Sequence, residues 1–343
     1  MVEIKKILLL LISLSLLTGC GKNKSTISDF KNINNKHDTY EIKGSMKIIS
    51  NEDEFIYDLT VDVLNNKYYK VSLVNTLNQH EQIILKNDDG VYVVTPELNK
   101  SFKFNSDWPK NGSQAYIIGQ LVTDVSNDSN AYIDSIDGGY RITSSVNYPN
   151  NEKLDKEVII TDKDYNIKSV EVLDQSNNVL IKVEYTNIDY NKSMSSDMFK
   201  LSTYTSDKTC TCVDEEKCEC DKPTSSILDD IIYPLYVPTD TYLSSKDTVN
   251  TETGNRVILT FSGNDPFILV EEDARVFNEM EIIPVNGEPL ILGGTIGAIS
   301  DNSLTWWYEG VDYYLTSNDL NRQELMTIAE SITNGSTLVA STK

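Results

Sequence analysis

Apolar side chains return at every second position through most of residues 40–189, and that period commits the stretch to β-strands. In Phe55, Tyr57, Leu59, Val61 and Val63 one face is wholly apolar, while Asp58, Thr60 and Asp62 between them are polar. A strand of this kind covers something apolar on one side only, as in an antiparallel sheet with one packed face. The next run, residues 67–74, repeats the pattern with Tyr69, Val71 and Leu73. Residues 82–85 and 91–94 are joined through Asp88-Asp89-Gly90, and this Asp-Gly step predicts a hairpin. Further strands are expected at 101–104, 140–148, 157–161, 168–173 and 180–185. One segment breaks the period. Residues 113–125 place Tyr116, Ile117, Leu121 and Val125 close to one face of a helix.

The chain has 343 residues, enough for about two domains at ~100–200 residues each. Its 52 acidic and 30 basic side chains leave a net charge of -22. A nucleic-acid surface, which needs clustered cations to displace counterions, is therefore excluded, as is an electrostatic grip on anionic lipid. The 39% hydrophobic content and 19 Tyr suit an ordered, strand-rich protein.

The N-terminus carries an address. Lys5 and Lys6 precede an apolar run over 7–17, the length of a secretory h-region and too short for a membrane span. The run ends in Leu17-Thr18-Gly19-Cys20, which resembles the bacterial lipobox, where the cysteine is diacylated before cleavage. That resemblance implies a signal peptide at 1–19 and a lipid-anchored Cys20, with the body at the extracytoplasmic face of the cell membrane. Two acyl chains anchor stably where one does not. Residues 20–35 are expected to form the anchor and a polar tether, with folding beginning near Ile33.

A strand meander with a helix laid against it outlines a curved antiparallel sheet. The stretch Glu81-Gln82-Ile83-Ile84-Leu85 to Gly90-Val91-Tyr92-Val93-Val94-Thr95-Pro96, followed by Lys100-Ser101-Phe102-Lys103-Phe104 and Trp108-Pro109, resembles the LolA-like lipoproteins of spore-forming Gram-positive bacteria. Among them are the YdcC-like sporulation lipoproteins and, more distantly, the GerS-like germination lipoproteins. The resemblance covers residues 36–200 or so and implies an α+β fold, a half-barrel sheet whose concave face is apolar and partly covered by helices, in a domain spanning 36–205. It also implies a hollow for acyl chains, lined by Phe55, Tyr57, Leu59, Val61, Val63, Tyr69, Val71, Leu73, Ile117 and Leu121. The same apolar faces are equally compatible with a filled core. A lipidated Cys20 would hold the protein to one membrane, which argues against the ferrying role of LolA.

Residues 206–226 contain Cys210, Cys212, Cys218 and Cys220, spaced C-x-C-x5-C-x-C. In an antiparallel hairpin, residues whose numbers share one total face each other, and both Cys210 with Cys220 and Cys212 with Cys218 satisfy that condition. Two nested disulfides, a tetrahedral metal site and four unoxidised thiols all remain open. The acidic, Pro-flanked segment reads as a linker between two domains.

A smaller α+β domain is expected over 227–343, where the acidity concentrates: residues 222–343 hold 6 Lys plus Arg and 18 Asp plus Glu. Strands are expected at 253–261, 267–271, 282–285 and 289–292, and 303–308 with 311–315 form a hairpin through Glu309-Gly310. Gly293-Gly294-Thr295-Ile296-Gly297 lacks the Lys-Ser/Thr of a phosphate loop and reads as a turn between strands. Asn321-Arg322-Gln323-Glu324 matches a capping box, followed by Leu325, Ile328, Ala329 and Ile332 at helical spacing. This region resembles an uncharacterised domain at the C-terminal end of such lipoproteins, and the likeness implies no activity.

Catalysis finds little raw material. His37 and His80 are the only histidines, neither sits in a nucleophile motif, and both read as surface polar residues. There is no G-x-S-x-G, H-E-x-x-H or Walker loop. The expectation is a non-enzymatic protein without a cofactor. It either holds an acyl chain or lipidated ligand in its concave sheet or, as GerS-like relatives imply, docks an envelope enzyme that modifies peptidoglycan.

Overall fold

The computed structural model describes residues 26–50, 53–205, 211–214, 217–219, 228, 231–251 and 254–333. Folding begins earlier than expected, with helix α1 (Ile27–Asn34) inside the stretch assigned to a tether. The Thr26 side chain accepts from the Asp29 N–H while the Asp29 carboxylate accepts from the Thr26 N–H, a reciprocal cap. Phe30 from this helix is fully buried, with Ile27 and Ile33 packed beside it, so α1 docks one face on the core rather than serving as a spacer.

The period-two text forms two meanders. Strands β1 (Tyr40–Ser50), β2 (Asp53–Leu64), β3 (Tyr68–Asn75), β4 (Glu81–Asn87), β5 (Gly90–Thr95) and β6 (Lys100–Phe104) make the first. Strands β7 (Tyr132–Ile136), β8 (Gly139–Ser145), β9 (Lys156–Asp162), β10 (Ile167–Leu173) and β11 (Val179–Asp189) make the second. Pairing of β11 with β1 joins them in the order β6-β5-β4-β3-β2-β1-β11-β10-β9-β8-β7. Inner faces of both meanders share one core with α1 and the crossing helix α2 (Ile118–Asn127), which requires the sheet to curve around them. The half-barrel is thus present. Its convex face is also partly covered, because Ile83, Leu85, Tyr92 and Val94 pack against Phe199.

Helix α2 starts five residues later than its apolar spacing suggests. Ser113 N–H donates to the Asn147 carbonyl at 2.7 Å and the Ala115 carbonyl accepts from the Tyr185 hydroxyl at 2.6 Å. Those backbone groups are engaged across the sheet and unavailable to a helical ladder. Tyr116, Ile117, Leu121 and Val125 are nonetheless all buried in the same core.

Beyond the short hairpin β12 (Thr211–Asp214) and β13 (Lys217–Glu219) comes the second unit. Its strands are β14 (Thr241–Thr251), β15 (Gly254–Gly263), β16 (Phe267–Asp273), β17 (Glu281–Val285), β18 (Glu288–Leu292), β19 (Thr295–Ile299), β20 (Ser303–Tyr308) and β21 (Val311–Thr316), followed by helix α3 (Arg322–Thr333). Seven of them form a second sheet, β14-β15-β16-β21-β20-β19-β18, backed by α3. Asn321 and Glu324 cap α3 reciprocally, and Leu325, Ile328, Ala329 and Ile332 are buried. Gly293 and Gly294 turn the chain as expected, but Thr295 to Ile299 run on as β19, a strand whose five residues are all buried. The eighth strand leaves its unit: β17 adds parallel to β6, from Glu281 opposite Lys100 to Val285 opposite Phe104. Among the described residues no helix is long and apolar enough to cross a membrane.

Candidate functional site

The ten side chains expected to line a hollow are brought together. All lie in a single cluster, and none is more than 7% exposed. Alternation along β2 and β3 sends Phe55 to Val63 and Tyr69 to Leu73 inward, and α2 lays Leu121 over them. The remaining inner surface is covered by the second unit, whose Ile296 and Ala298 belong to this same core, with Ile283, Val285 and Ile291 packed against it.

The closure is specific. A Cβ at Gly293 would lie 2.6 Å from the Phe55 ring, and one at Gly294 2.6 Å from Tyr308 and 3.2 Å from Phe55, so the double glycine admits the aromatic ring against bare backbone. The Tyr57 hydroxyl donates to the Gly293 carbonyl at 2.6 Å, and burial pushes that phenol well above its ordinary range. The Gln82 amide oxygen accepts from Ile296 N–H at 2.7 Å, and its nitrogen donates to the Ile296 carbonyl at 3.2 Å. Lys100 Nζ lies 2.6 Å from Asp312 Oδ1; burial nevertheless raises the Asp312 carboxyl, outweighing the ammonium.

A cavity of about 90 Å³ remains beside β18, lined by Met46, Ile84, Trp108, Leu154, Ile181 and Leu290 together with polar residues such as Gln114, Asn150 and Glu288. This is well below the ~300–1,000 Å³ of ordinary ligand pockets. A wider cleft of about 520 Å³ adjoins it through Leu154, Ile181 and Ile291, with Lys153, Gln323 and Glu330 on its walls. Lys153 Nζ stands 3.6 Å from Glu330, whose carboxyl burial raises against that pull. None of the ten expected residues lines either space.

His80 is half-buried in the seam rather than on open surface. Its Nδ1 lies 2.7 Å from a Glu97 carboxylate oxygen, and its ring meets Trp307 edge-on at 4.9 Å. His37 stacks on Tyr190 at 3.8 Å. Among the described residues no three His, Cys, Asp or Glu side chains come together as a metal site. Sequence reading missed two carboxyls, Asp124 on α2 and Glu157 on β9. Burial raises Asp124 to about 6 and Glu157 well above its ordinary value, and the proximity of Asp124 pushes Glu157 further up. Their only sequence trace is an acid inside an apolar period.

The backbone of the short hairpin sets Cys212 opposite Cys218. Cys20, Cys210 and Cys220 lie outside the described residues.

No protein-family model matches the chain. It is 34% identical over 325 residues to the sporulation protein YdcC of Bacillus subtilis (strain 168), covering 94% of each chain. Among solved structures, the LolA superfamily protein NE2245 from Nitrosomonas europaea aligns with 52% of this chain and 98% of its own at 10% identity and a TM-score of 0.30. The structure of the CwlD amidase from Clostridioides difficile in complex with the GerS lipoprotein aligns with 50% of this chain and 98% of its own, at 16% identity and a TM-score of 0.30.

Proposed function

Because the chain belongs to the family of the sporulation protein YdcC, we propose that it is a non-enzymatic envelope protein, anchored to the membrane through a diacylated Cys20, that acts by docking another protein. The observation that carries this reading is the closure of the half-barrel by the chain's own second unit, with Gly293 and Gly294 against Phe55. An occupied inner face leaves for interaction the outer surface of the second sheet and that part of the first sheet's convex face that Phe199 does not cover. The partner class that the sequence resemblance implies is an envelope enzyme acting on the peptidoglycan of the spore cortex.

A second reading, an acyl or lipidated ligand, draws on the 90 Å³ cavity and on the wider cleft that shares Leu154, Ile181 and Ile291 with it. It requires β18 to withdraw. Full chain purified from sporulating cells without detergent is expected to carry a protein in fixed ratio and no acyl lipid, by mass spectrometry, and to show no saturable response to a fluorescent fatty-acyl probe. Stoichiometric lipid, or saturable probe binding, would reverse the order of the two readings.

A further inference from the structure

Strand β14 forms one end of the seven-stranded sheet, and among the described residues no strand lies beyond it. It pairs with β15 from Thr241 opposite Gly263 to Thr251 opposite Gly254. Its neighbour behaves as a half-buried strand should, with Val257, Leu259 and Phe261 buried on alternate positions. In β14 every residue from Tyr242 to Asn250 is exposed. The layer that covers the inner face of the sheet therefore ends at β15, and β14 projects beyond it with both faces in water.

The outward backbone can be assigned. Thr251 opposite Gly254 is the last pair of a hairpin with a two-residue connection, which makes it a hydrogen-bonded pair. Alternation then turns the N–H and C=O groups of Asn250, Thr248 and Lys246 away from β15. Such a row is a template for another strand unless it is blocked by proline, charge or a cover. The strand has no proline, its only charges are Lys246 and Asp247, and its single bulge sits at the far end, between Leu243 and Ser245.

Side chains narrow the occupant. Register places Tyr242, Asp247 and Val249 on the outer face, continuous with Ile258, Ile268 and Tyr314. Of these, Tyr242, Val249, Ile268 and Tyr314 are exposed apolar surface. A second copy is a poor fit, because full-length two-fold pairing sets Lys246 against its own copy. Residues 222–343 carry 18 acidic against 6 basic side chains, which favours a cationic strand over a neutral or acidic one.

We propose that β14 is a docking edge to which a basic, extended segment of a partner protein adds as a further strand, its Lys or Arg side chains on the face of Asp247 and its uncharged side chains on the opposite face, where Lys246 points. This deepens the docking reading above and rests on it. The probe is a twelve-residue peptide alternating lysine with valine and threonine, with its glutamate counterpart as control, added to the full chain. The lysine peptide is expected to bind saturably and protect the amides of Asn250, Thr248 and Lys246 from exchange. Binding should weaken about tenfold or more with Thr248→Pro, which removes an outward donor from an edge, and with Asp247→Lys, which leaves the backbone untouched. Equal binding of the glutamate peptide, absence of saturable binding, or indifference to both substitutions would overturn the proposal. Self-association protecting the same amides would overturn it in favour of a second copy. If a partner protein from sporulating cells accompanies Thr248→Pro and Asp247→Lys chains as well as the parent, docking stands and this edge is not its site.

Discussion

Gln82 holds Ile296 as a neighbouring strand would, accepting from its N–H at 2.7 Å and donating to its carbonyl at 3.2 Å across a sequence separation of 214 residues. One side-chain amide thereby satisfies both backbone groups of a buried residue where the two sheets meet.

Gln82→Leu should leave that N–H and carbonyl without a partner, at about 1 to 3 kcal/mol for each buried group. Urea unfolding is expected to show a lower midpoint with an unchanged slope. A midpoint equal to that of the parent would mean that the amide contributes nothing to the joint.

Gly293→Ala places a methyl group against the Phe55 ring, an overpacking that should destabilise by about 1 to 3 kcal/mol. Phe55→Leu vacates the same space, so the double variant should be more stable than the sum of the two single losses predicts. Strict additivity in the cycle would show that the ring does not close on the glycine.

Val61→Gln tests whether the concave face is sealed. Val61 is 0% exposed, so the new amide is buried without an evident partner, and a loss of about 1 to 3 kcal/mol is expected. A near-neutral melt together with altered fatty-acyl probe binding would instead indicate a hollow open to water and ligand.

Glu271 carries a pH dependence. Burial raises its carboxyl to about 7, while the Ile232 N–H donating to it at 3.2 Å pulls the other way. The native state therefore retains a proton that the unfolded chain releases near pH 4.5, and stability declines as pH rises from there through about 7. Glu271→Gln should stabilise the protein by roughly 1 to 3 kcal/mol at pH 8, do little at pH 4, and flatten the profile between. Parallel profiles for parent and variant would locate the titration elsewhere.

Cys20→Ser should leave an uncleaved precursor or release the body into the medium, as fractionation and N-terminal mass would show. A fully processed variant that still sediments with membrane would contradict lipid anchoring at this residue.

Much of the first sheet was legible because its signals are local. Period-two alternation marked β2, β3 and most strands of both meanders, Asp89-Gly90 marked the β4–β5 hairpin, and Asn321 with Glu324 marked the start of α3. Thr26 and Asp29 offered the same kind of signal for α1, obscured by the polar residues around them. Strand β14 escaped because a strand exposed on both faces has no apolar period to detect.

The chain's own alternation determined that residues near Phe55 and Tyr69 would turn one apolar face inward, since successive side chains on a strand point to opposite sides. What would cover that face was decided only in three dimensions. Filling the half-barrel with Ile296 and Ala298, admitting Phe55 against Gly293 and Gly294, and adding β17 beside β6 depend on residues far apart in the chain. Apolar burial is non-directional, so an inward face specifies that it must be covered but not by what. The identity of the cover follows from the shape and the unpaired backbone that two separately legible units present to each other.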